Sequence, residues 1–151
     1  MIFREATQDD IPTLLELEQG VVTAERPFNT DIKPGRPTYY DLDDLIENDN
    51  ACLLVLENEG RIIATGYAQI RVSNMCFVHK CHGYRGFMYV EPEYRGQGIN
   101  KQLTQKLNDW CKSKGMTHVY LEVYAENQSA IRAYEKSGFE PCLLEMKMKL
   151  D

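Results

Sequence analysis

The chain has 151 residues, of which 26% are charged and 43% are hydrophobic. This composition is typical of a soluble globular protein and excludes a disordered, collagen-like or membrane-embedded chain. The length suits a single domain, residues 1–151, whose core needs no disulfide or metal for support. The formal net charge of −6 argues against a generally basic nucleic-acid binder, so we expect no nucleic-acid partner.

In the first part of the chain, strands and helices are mixed, and a proline- and glycine-containing loop separates the first two helices. Two apolar runs joined by a short turn predict an antiparallel pair of strands. The predicted elements are a strand at 2–6, a helix starting at Thr7, a loop at 26–38, a helix at 39–47, and strands at 51–57 and 61–72.

In the second part, strands alternate with helices, which predicts parallel pairing through crossovers. Leu103, Leu107 and Trp110 recur at the helical period, as on a helix with one buried face. We therefore expect an α/β fold with one mixed sheet. The predicted elements are strands at 77–80 and 83–90, a helix from 99 to 115, a strand at 117–123, a helix at 127–137, and a closing strand or strands at 139–150.

Charge is distributed unevenly along the chain. Residues 1–50 carry 12 acidic and four basic side chains, whereas residues 51–151 carry 11 acidic and 13 basic ones. The two parts therefore have formal charges of −8 and +2. Solvated helix surfaces explain some of these carboxylates. The alternative is that the two parts bind ligands of opposite charge.

The cysteines and the N-terminus indicate a cellular compartment. The five cysteines are odd in number, widely spaced and without a Cys-x-x-Cys pair, as expected of reduced thiols. The N-terminus carries charge where a signal peptide needs an apolar run, and no apolar run approaches the roughly 20 residues of a membrane span. We expect a cytoplasmic protein with no membrane partner.

Residues 89–101 are the most informative segment, because they join a predicted strand to a predicted helix. Gly96 and Gly98 let the backbone approach a ligand, and free amides at a helix N-terminus favour an anion. Arg95 adds a cation suited to phosphate geometry. The segment lacks both the Lys-Ser/Thr of a Walker loop and the three-glycine dinucleotide spacing. It predicts a pyrophosphate site, with a plain two-glycine turn as the alternative.

The acetyl-CoA signature of the GNAT superfamily of N-acetyltransferases resembles the run Val90-x-Pro92-x-Tyr94-Arg95-Gly96-Gln97-Gly98-Ile99. The resemblance continues in Leu121-Glu122-Val123 and in Asn127-x-x-Ala130-x-x-x-Tyr134-x-Lys136-x-Gly138-Phe139. It departs at Asn100, where the family usually has Gly or Ala. The resemblance implies the GNAT fold, with a single mixed antiparallel and parallel central sheet of six to seven strands flanked by about four helices.

This resemblance also implies acetyl-CoA as the co-substrate, with no metal. It places the pyrophosphate on the amides of residues 95–100 and the pantetheine arm along the strand edge at residues 88–90. The residues expected to bind acetyl-CoA are Met88, Tyr89, Val90, Arg95, Gly96, Gln97, Gly98, Ile99, Asn100 and Asn127.

The implied reaction transfers an acetyl group to a primary amine by direct attack in a ternary complex, and it needs both a base and an acid. Deprotonating a lysine-like amine at pH 7 costs roughly 4.6 kcal/mol. The resemblance assigns Tyr134 as the acid that protonates the thiolate and Asn127 as a contact to the pantetheine arm. The alternatives are a core tyrosine and a helix N-cap.

Glu122 is the first candidate for the base. With Tyr134 twelve residues later, it resembles the base and acid pair of the ribosomal-protein alanine N-acetyltransferases. The alternatives are a strand glutamate that pairs with an arginine, or a water relay through Tyr84, Tyr120 or His82.

The acceptor is expected beside the region between the first two helices, as in this superfamily. Carboxylates and aromatic rings suit a cationic amine on a small molecule or peptide, whereas Arg26, Lys33 and Arg36 could instead hold a substrate carboxylate. A non-catalytic acyl-CoA sensor of the same fold is the alternative function. The expected substrate-binding residues are Glu25, Phe28, Asp31, Tyr39 and Tyr84.

Two further features of the sequence need interpretation. The cluster Cys76, His79, Cys81 and His82 lacks a separated pair of ligand knuckles, and alternate strand residues point to opposite faces, so we expect no zinc there. The apolar closing strand, from Leu143 to Met148, could pair with a second copy of the chain and make a homodimer.

Overall fold

The computed structural model describes residues 1–151. Its strands are β1 (Ile2–Glu5), β2 (Ala51–Asn58), β3 (Arg61–Val72), β4 (Cys81–Val90) and β5 (Val119–Tyr120). Its helices are α1 (Ile11–Glu25), α2 (Leu42–Glu47), α3 (Ile99–Ser113) and α4 (Gln128–Lys136). No helix combines the length and the apolar composition needed to cross a bilayer.

The sheet has the strand order β1-β2-β3-β4-β5. The first four strands are antiparallel neighbours, whereas β4 and β5 are parallel. Glu59 and Gly60, which connect β2 to β3, both have positive φ, the twist that suits a tight two-residue hairpin. β5 follows β4 through α3, because parallel neighbours need a crossover connection. The predicted mixed α/β sheet is therefore confirmed.

The number of strands differs from the prediction: the sheet has five strands, not six to seven. Residues 77–80 lie in the β3–β4 connection, and the strand predicted at 117–123 shortens to Val119–Tyr120. Residues 139–150, predicted as the closing strand, form no regular element. A period-2 pattern fixes which residues share a face, but a strand also needs a neighbouring edge for its backbone hydrogen bonds. The closing segment has no such neighbour within its own chain.

Two apolar layers lie on opposite faces of the sheet. On one face, α1 and α2 pack against the sheet around Leu14 and Leu53. On the other face, α3 contributes Leu103 and Leu107, both fully buried, and Trp110 packs at the margin of this layer. The helical face predicted from these three residues is therefore the face that packs on the sheet.

β4 separates from β5 after a short parallel contact. The register ends at the pair Tyr84 and Tyr120, although β4 continues beside β3 as far as Val90. A bulge interrupts the β3–β4 register, and Phe87 in this part of β4 has a φ of 52°. The edge of β4 at residues 85–90 is therefore unpaired on the side of β5. This opening positions the site described below.

Leu103→Ala should lower the free energy of unfolding by about 2–5 kcal/mol, because it removes a fully buried side chain between α3 and the sheet. The neighbouring exposed residue provides the control, since Gln102→Ala should change stability by less than about 0.5 kcal/mol. Urea denaturation measures the free energy of unfolding of both variants. Equal, small effects would show that α3 does not carry the core.

Candidate active site

The loop between β4 and α3 is arranged to hold an anion. Gly96 and Gly98 both have a φ of 79°, which favours glycine, and a Cβ at either position would meet no atom within 4 Å. The amide N–H groups from Gly96 to Lys101 donate no hydrogen bond to another backbone group. They lie at the N-terminus of α3, the positive end of the helix dipole. Open space beside unpaired amides fits a phosphate group.

Arg95 supplies a cation at the same loop. Its Nε donates a hydrogen bond to the carbonyl oxygen of Val90 at 2.9 Å. The guanidinium carbon lies 5.5 Å from the centroid of the Tyr89 ring. These two contacts hold the side chain at the end of β4 and leave its terminal nitrogens available to an anionic ligand.

A cavity of about 500 Å³ extends from this loop between β4, the end of α1 and α4. Tyr134 and Glu25 also line it, whereas Gln97 is exposed and lies outside the lining. A second cavity, of about 390 Å³ beside Trp110, contains none of the predicted site residues. The predicted co-substrate residues that line the larger cavity are Met88, Tyr89, Val90, Arg95, Gly96, Gly98, Ile99, Asn100 and Asn127.

Asn127 is both the N-cap of α4 and part of the cavity wall. Its Oδ1 accepts a hydrogen bond from the amide of Ala130 at 3.2 Å. Ala130 and Tyr134 lie on the same face of α4 and also line the cavity. The cap therefore fixes the start of the helix that carries Tyr134.

Tyr134 lies in an environment with opposing electrostatic effects. Burial raises the pKa of Tyr134, the Arg85 guanidinium opposes this shift, and the Glu25 carboxylate adds to it. The Tyr134 ring packs edge-on against Phe139, with 5.9 Å between centroids. The phenol is thus kept protonated in the free protein, next to a cation that would stabilise it after proton loss.

Arg85 is a buried cation that the sequence analysis missed. Its side chain is 2% exposed, and Nη2 donates a hydrogen bond to Thr104 Oγ1 at 2.9 Å. Nε and Nη1 have no hydrogen-bond partner, and burial lowers the pKa of the group. Its guanidinium carbon lies 5.4 Å from the Phe139 ring centroid. The signal in the sequence is an arginine within the otherwise apolar and aromatic end of β4.

Glu25 ends α1 at the wall of the cavity. Burial raises the pKa of Glu25, and the Tyr39 hydroxyl opposes this shift. The pKa of Tyr39 is raised to about 12, mainly by burial and next by the negative charge of Glu25. The sequence analysis assigned Glu25 to the acceptor, and the structure brings it into the same cavity as Tyr134.

Glu122 lies apart from that cavity. It is exposed and follows β5, outside the residues that line the cavity. It is hydrogen-bonded to Tyr84, whose pKa is raised first by burial and then by the Glu122 carboxylate. The guanidinium carbon of Arg71 lies 3.5 Å from the Tyr84 ring centroid. The structure thus brings Glu122 together with Tyr84, but not into the cavity lined by Tyr134.

The loop after α1 carries aromatic and polar groups toward β5. The rings of Phe28 and Tyr124 stack with 6.4 Å between centroids, and Asn29 Nδ2 donates a hydrogen bond to the Tyr124 hydroxyl at 2.9 Å. Asp31 is paired with Lys147 at 2.8 Å. Of the predicted acceptor residues here, Phe28 packs against an aromatic ring, whereas the Asp31 carboxylate already has a cation.

A buried carboxylate holds the next part of this loop in place. Glu18, on α1, is fully buried, and its Oε2 accepts hydrogen bonds from the amides of Tyr39 at 2.9 Å and Tyr40 at 3.0 Å. The Tyr40 ring stacks on Phe87, at the β4 bulge, with 4.5 Å between centroids. Tyr39 is consequently fixed beside Glu25.

His79 and His82 form a hydrogen-bonded cluster with Ser73 at the β3–β4 connection. Ser73 Oγ lies 2.6 Å from Nδ1 of His79 and 2.8 Å from Nδ1 of His82. His79 Nε2 lies 3.0 Å from the Tyr120 hydroxyl. Cys76 is exposed, and no group of three or more potential metal ligands is present. The polar contacts of these side chains are with one another.

The model of the Acetyltransferase (GNAT) family matches residues 19–139. The chain belongs to this family. The match includes the end of α1, the anion-binding loop and α4, so it covers every element that lines the larger cavity. The sheet with its parallel β4–β5 pair and four helices is the GNAT fold, here with five strands.

Similarity to individual proteins supports the same assignment. N-alpha-acetyltransferase 30 of Schizosaccharomyces pombe is 40% identical over 57 residues, which are 38% of this chain and 38% of that protein. A putative ribosomal protein bS18-alanine N-acetyltransferase of Bacillus subtilis is 28% identical over 145 residues, 91% of this chain and 80% of that one. The match thus spans well under half the length of the Schizosaccharomyces pombe protein.

A solved structure has a similar fold over almost the whole chain. The crystal structure of a predicted acetyltransferase with acetyl-CoA from Clostridium acetobutylicum has a TM-score of 0.77 and 21% identity. The similarity covers 98% of this chain and 95% of that one. At this identity, the comparison supports the shared GNAT fold.

Gly98→Ala should weaken acetyl-CoA binding by roughly ten- to a hundredfold, because a Cβ disturbs the amides that would hold the pyrophosphate. Gly60→Ala is the matched control: Gly60 has a φ of 78°, and its Cβ would also meet open space. Both variants should lose about 1–2 kcal/mol of stability. Calorimetric titration measures the affinity, and an equal affinity in the two variants would exclude the loop as the anion site.

Proposed function

We propose that the protein is an N-acetyltransferase that moves an acetyl group from acetyl-CoA to a primary amine of a small molecule or peptide. The observation that carries this proposal is a single cavity that joins an anion-binding loop to Tyr134 and Glu25. The loop suits the pyrophosphate of coenzyme A. The two side chains supply a proton donor and a carboxylate at the other end.

The co-substrate would follow the length of the cavity. The pyrophosphate would accept hydrogen bonds from the amides between Gly96 and Lys101, with Arg95 as an additional cation. The pantetheine arm contains amide groups, and these would pair with the free edge of β4 at residues 85–90. Asn127, in the cavity wall, is available to contact the same arm. The thioester would then lie beside Tyr134.

Tyr134 is the proposed acid. When the amine nitrogen attacks the thioester carbonyl carbon, the carbon–sulfur bond breaks and the electron pair leaves on sulfur. The phenol proton of Tyr134 passes to that thiolate, whose free pKa is about 8.5. The buried guanidinium of Arg85 favours the tyrosinate that results, because it lowers the pKa of Tyr134 against the effect of burial.

For the base, the geometry favours Glu25. It lines the same cavity as Tyr134, and burial raises its pKa from the ordinary value, toward the range useful to a base. Glu122, the candidate from the family resemblance, lies outside the cavity lining beside Tyr84. Glu122 stays a prediction that competes with Glu25. A water relay through Tyr84, Tyr120 or His82 is the third route.

The acceptor is proposed to be a cationic amine. Glu25, from the −8 part of the chain, lines the cavity and is hydrogen-bonded to Tyr39, whereas Phe28, Asp31, Tyr39 and Tyr84 lie outside the cavity lining. Of the three cations that could have held a substrate carboxylate, Arg26 and Arg36 are already engaged, whereas Lys33 has no ion pair or side-chain hydrogen bond. Arg26 donates a hydrogen bond to the Gly35 carbonyl oxygen at 3.0 Å, and Arg36 pairs with Glu16 at 2.7 Å. An ammonium group is therefore favoured over a carboxylate at this opening.

Tyr134→Phe should lower kcat by roughly 10²- to 10⁴-fold, the usual contribution of a positioned acid. The ring remains, so the affinity for acetyl-CoA should stay within about twofold. Thiol release measures turnover, and calorimetric titration measures binding. Loss of binding with unchanged turnover at saturation would refute the assignment of Tyr134 as the acid.

Glu25→Gln should lower kcat/KM by roughly 10²-fold or more and remove the acid limb of the pH–rate profile, whereas Glu122→Gln should retain that limb. A base with a raised pKa loses activity as the pH falls through that pKa.

Because folding raises the pKa of Glu25, its charged form destabilises the native state above that pKa, and Glu25→Gln should raise the Tm at pH 7.

The raised Tm separates a catalytic effect from unfolding. If Glu122→Gln alone abolishes the acid limb, the base is Glu122 and the family resemblance is the better guide. If both variants retain the acid limb, the water relay is the remaining route for removing the proton of the amine.

A further inference from the structure

Three side chains meet where the loop after α1 approaches the segment before α4. The ring of Phe28 stacks on the ring of Tyr124 with 6.4 Å between centroids. Asn29 Nδ2 donates a hydrogen bond to the Tyr124 hydroxyl at 2.9 Å, although the two residues are 95 positions apart in the sequence. We call this contact, formed by Phe28, Asn29 and Tyr124, the Tyr124 bridge.

Local hydrogen bonds hold both ends of the Tyr124 bridge. Asn29 Oδ1 accepts a hydrogen bond from the amide of Asp31 at 3.0 Å, which fixes the side chain that donates to Tyr124. On the other side, the carbonyl oxygen of Tyr124 accepts a hydrogen bond from the amide of Asn127 at 2.9 Å. Asn127 is the N-cap of α4 and lines the cavity. The bridge is therefore attached directly to the cavity wall.

The Tyr124 bridge connects the two helices between which the cavity lies. Glu25, at the end of α1, and Tyr134, on α4, both line the cavity. Phe28 lies three residues after Glu25, and Tyr124 lies three residues before Asn127. Because the bridge joins the chain just beyond the end of α1 to the chain just before α4, it limits the space for an acceptor between them.

The groups around the bridge suit a slender cation. The Tyr39 hydroxyl is hydrogen-bonded to the Glu25 carboxylate. Tyr124 lies close enough to raise the pKa of Tyr39, after the larger effects of burial and of Glu25. Aromatic rings pack against methylene groups and attract an ammonium group, and the carboxylate attracts the same charge. An alkyl chain that ends in an ammonium group matches this arrangement, whereas a ring that carries the amine needs the lateral space that the bridge occupies.

We propose that Tyr124 determines acceptor specificity: the Tyr124 bridge admits a primary amine at the end of an unbranched methylene chain and excludes an amine on a ring carbon. The inference rests on the proposed acetyl transfer and names the substrate class of that site. The same chemistry occurs in a free linear diamine and in the side chain of lysine. From either source, the chain would pass beside Tyr124 and bring its nitrogen to Glu25.

The test compares n-hexylamine with cyclohexylamine, which have the same number of carbon atoms and the same charge. Thiol release by the unmodified protein at saturating acetyl-CoA should give a kcat/KM roughly tenfold or more higher for n-hexylamine. Equal values would overturn the inference and leave the proposed function standing. No release with any amine would overturn the proposed function and the inference together.

Two further acceptors distinguish the sources of the alkylamine. Cadaverine represents a free linear diamine, and a lysine-containing peptide with an acetylated N-terminus represents a protein side chain. A kcat/KM above that of cyclohexylamine for either one supports the inference, and the better of the two identifies the source. Values for both that are no higher than that of cyclohexylamine would contradict it.

Substitutions assign the preference to the Tyr124 bridge. Tyr124→Ala and Phe28→Ala each remove one ring of the stack, so kcat/KM for cyclohexylamine should rise and the ratio between the two amines should fall to within about twofold. Tyr124→Phe keeps the ring and should keep the preference. Gln128→Ala, at an exposed position at the start of α4, is the matched control and should also keep it.

The affinity for acetyl-CoA, measured by calorimetric titration, shows whether each variant is folded, and it should stay within about twofold of that of the unmodified protein. In folded Tyr124→Ala and Phe28→Ala proteins, an unchanged ratio between the two amines would contradict the inference. An equal loss of kcat/KM for both amines would also contradict it, because the bridge would then support the fold without selecting the acceptor.

Discussion

The separation of β4 from β5 beyond Tyr84 and Tyr120 is the constraint on which the candidate site depends. A sheet that stayed paired here would have no room for a ligand between its strands. Because β4 remains paired with β3 on both sides of a bulge, β4 continues as a strand to Val90 with one free edge. The same separation directs α4 over the opening, so the wall that carries Asn127 and Tyr134 faces the loop at the N-terminus of α3.

Electrostatics at the two ends of the cavity are arranged for different tasks. At the loop, unpaired amides, a helix dipole and Arg95 all favour a multiply charged anion. In the rest of the lining, the buried cation Arg85 and the half-buried carboxylate Glu25 have opposite effects on the pKa of Tyr134, and burial keeps both the phenol and the Glu25 carboxyl group nearer their neutral forms. The charge difference between the two parts of the sequence matches this division, since the −8 part supplies α1 and Glu25.

The sequence predicts those features whose cause is local. Two glycines before an amphipathic helix define the anion loop, and the seven-residue spacing of Asn127 and Tyr134 puts both on one face of α4. The meeting of Glu25 with Tyr134 could not be predicted this way, because the end of α1 and α4 are far apart in the sequence and come together only in the folded chain, at the wall of one cavity. The role of Arg85 becomes visible only once its burial and its electrostatic effect on Tyr134 are known. The sequence also predicts a closing strand or strands at 139–150, yet a strand forms only where a neighbouring edge receives its backbone hydrogen bonds.

The most direct test of the account combines an acetyl-CoA titration with a thiol-release assay of the unmodified protein over a panel of amines. We predict saturable binding of acetyl-CoA and a release of thiol that requires an amine, fastest with cationic acceptors. Tight binding of acetyl-CoA with no amine-dependent release across polyamines, aminoglycosides, amino acids and peptides would contradict it. The protein would then be an acyl-CoA sensor built on the same fold.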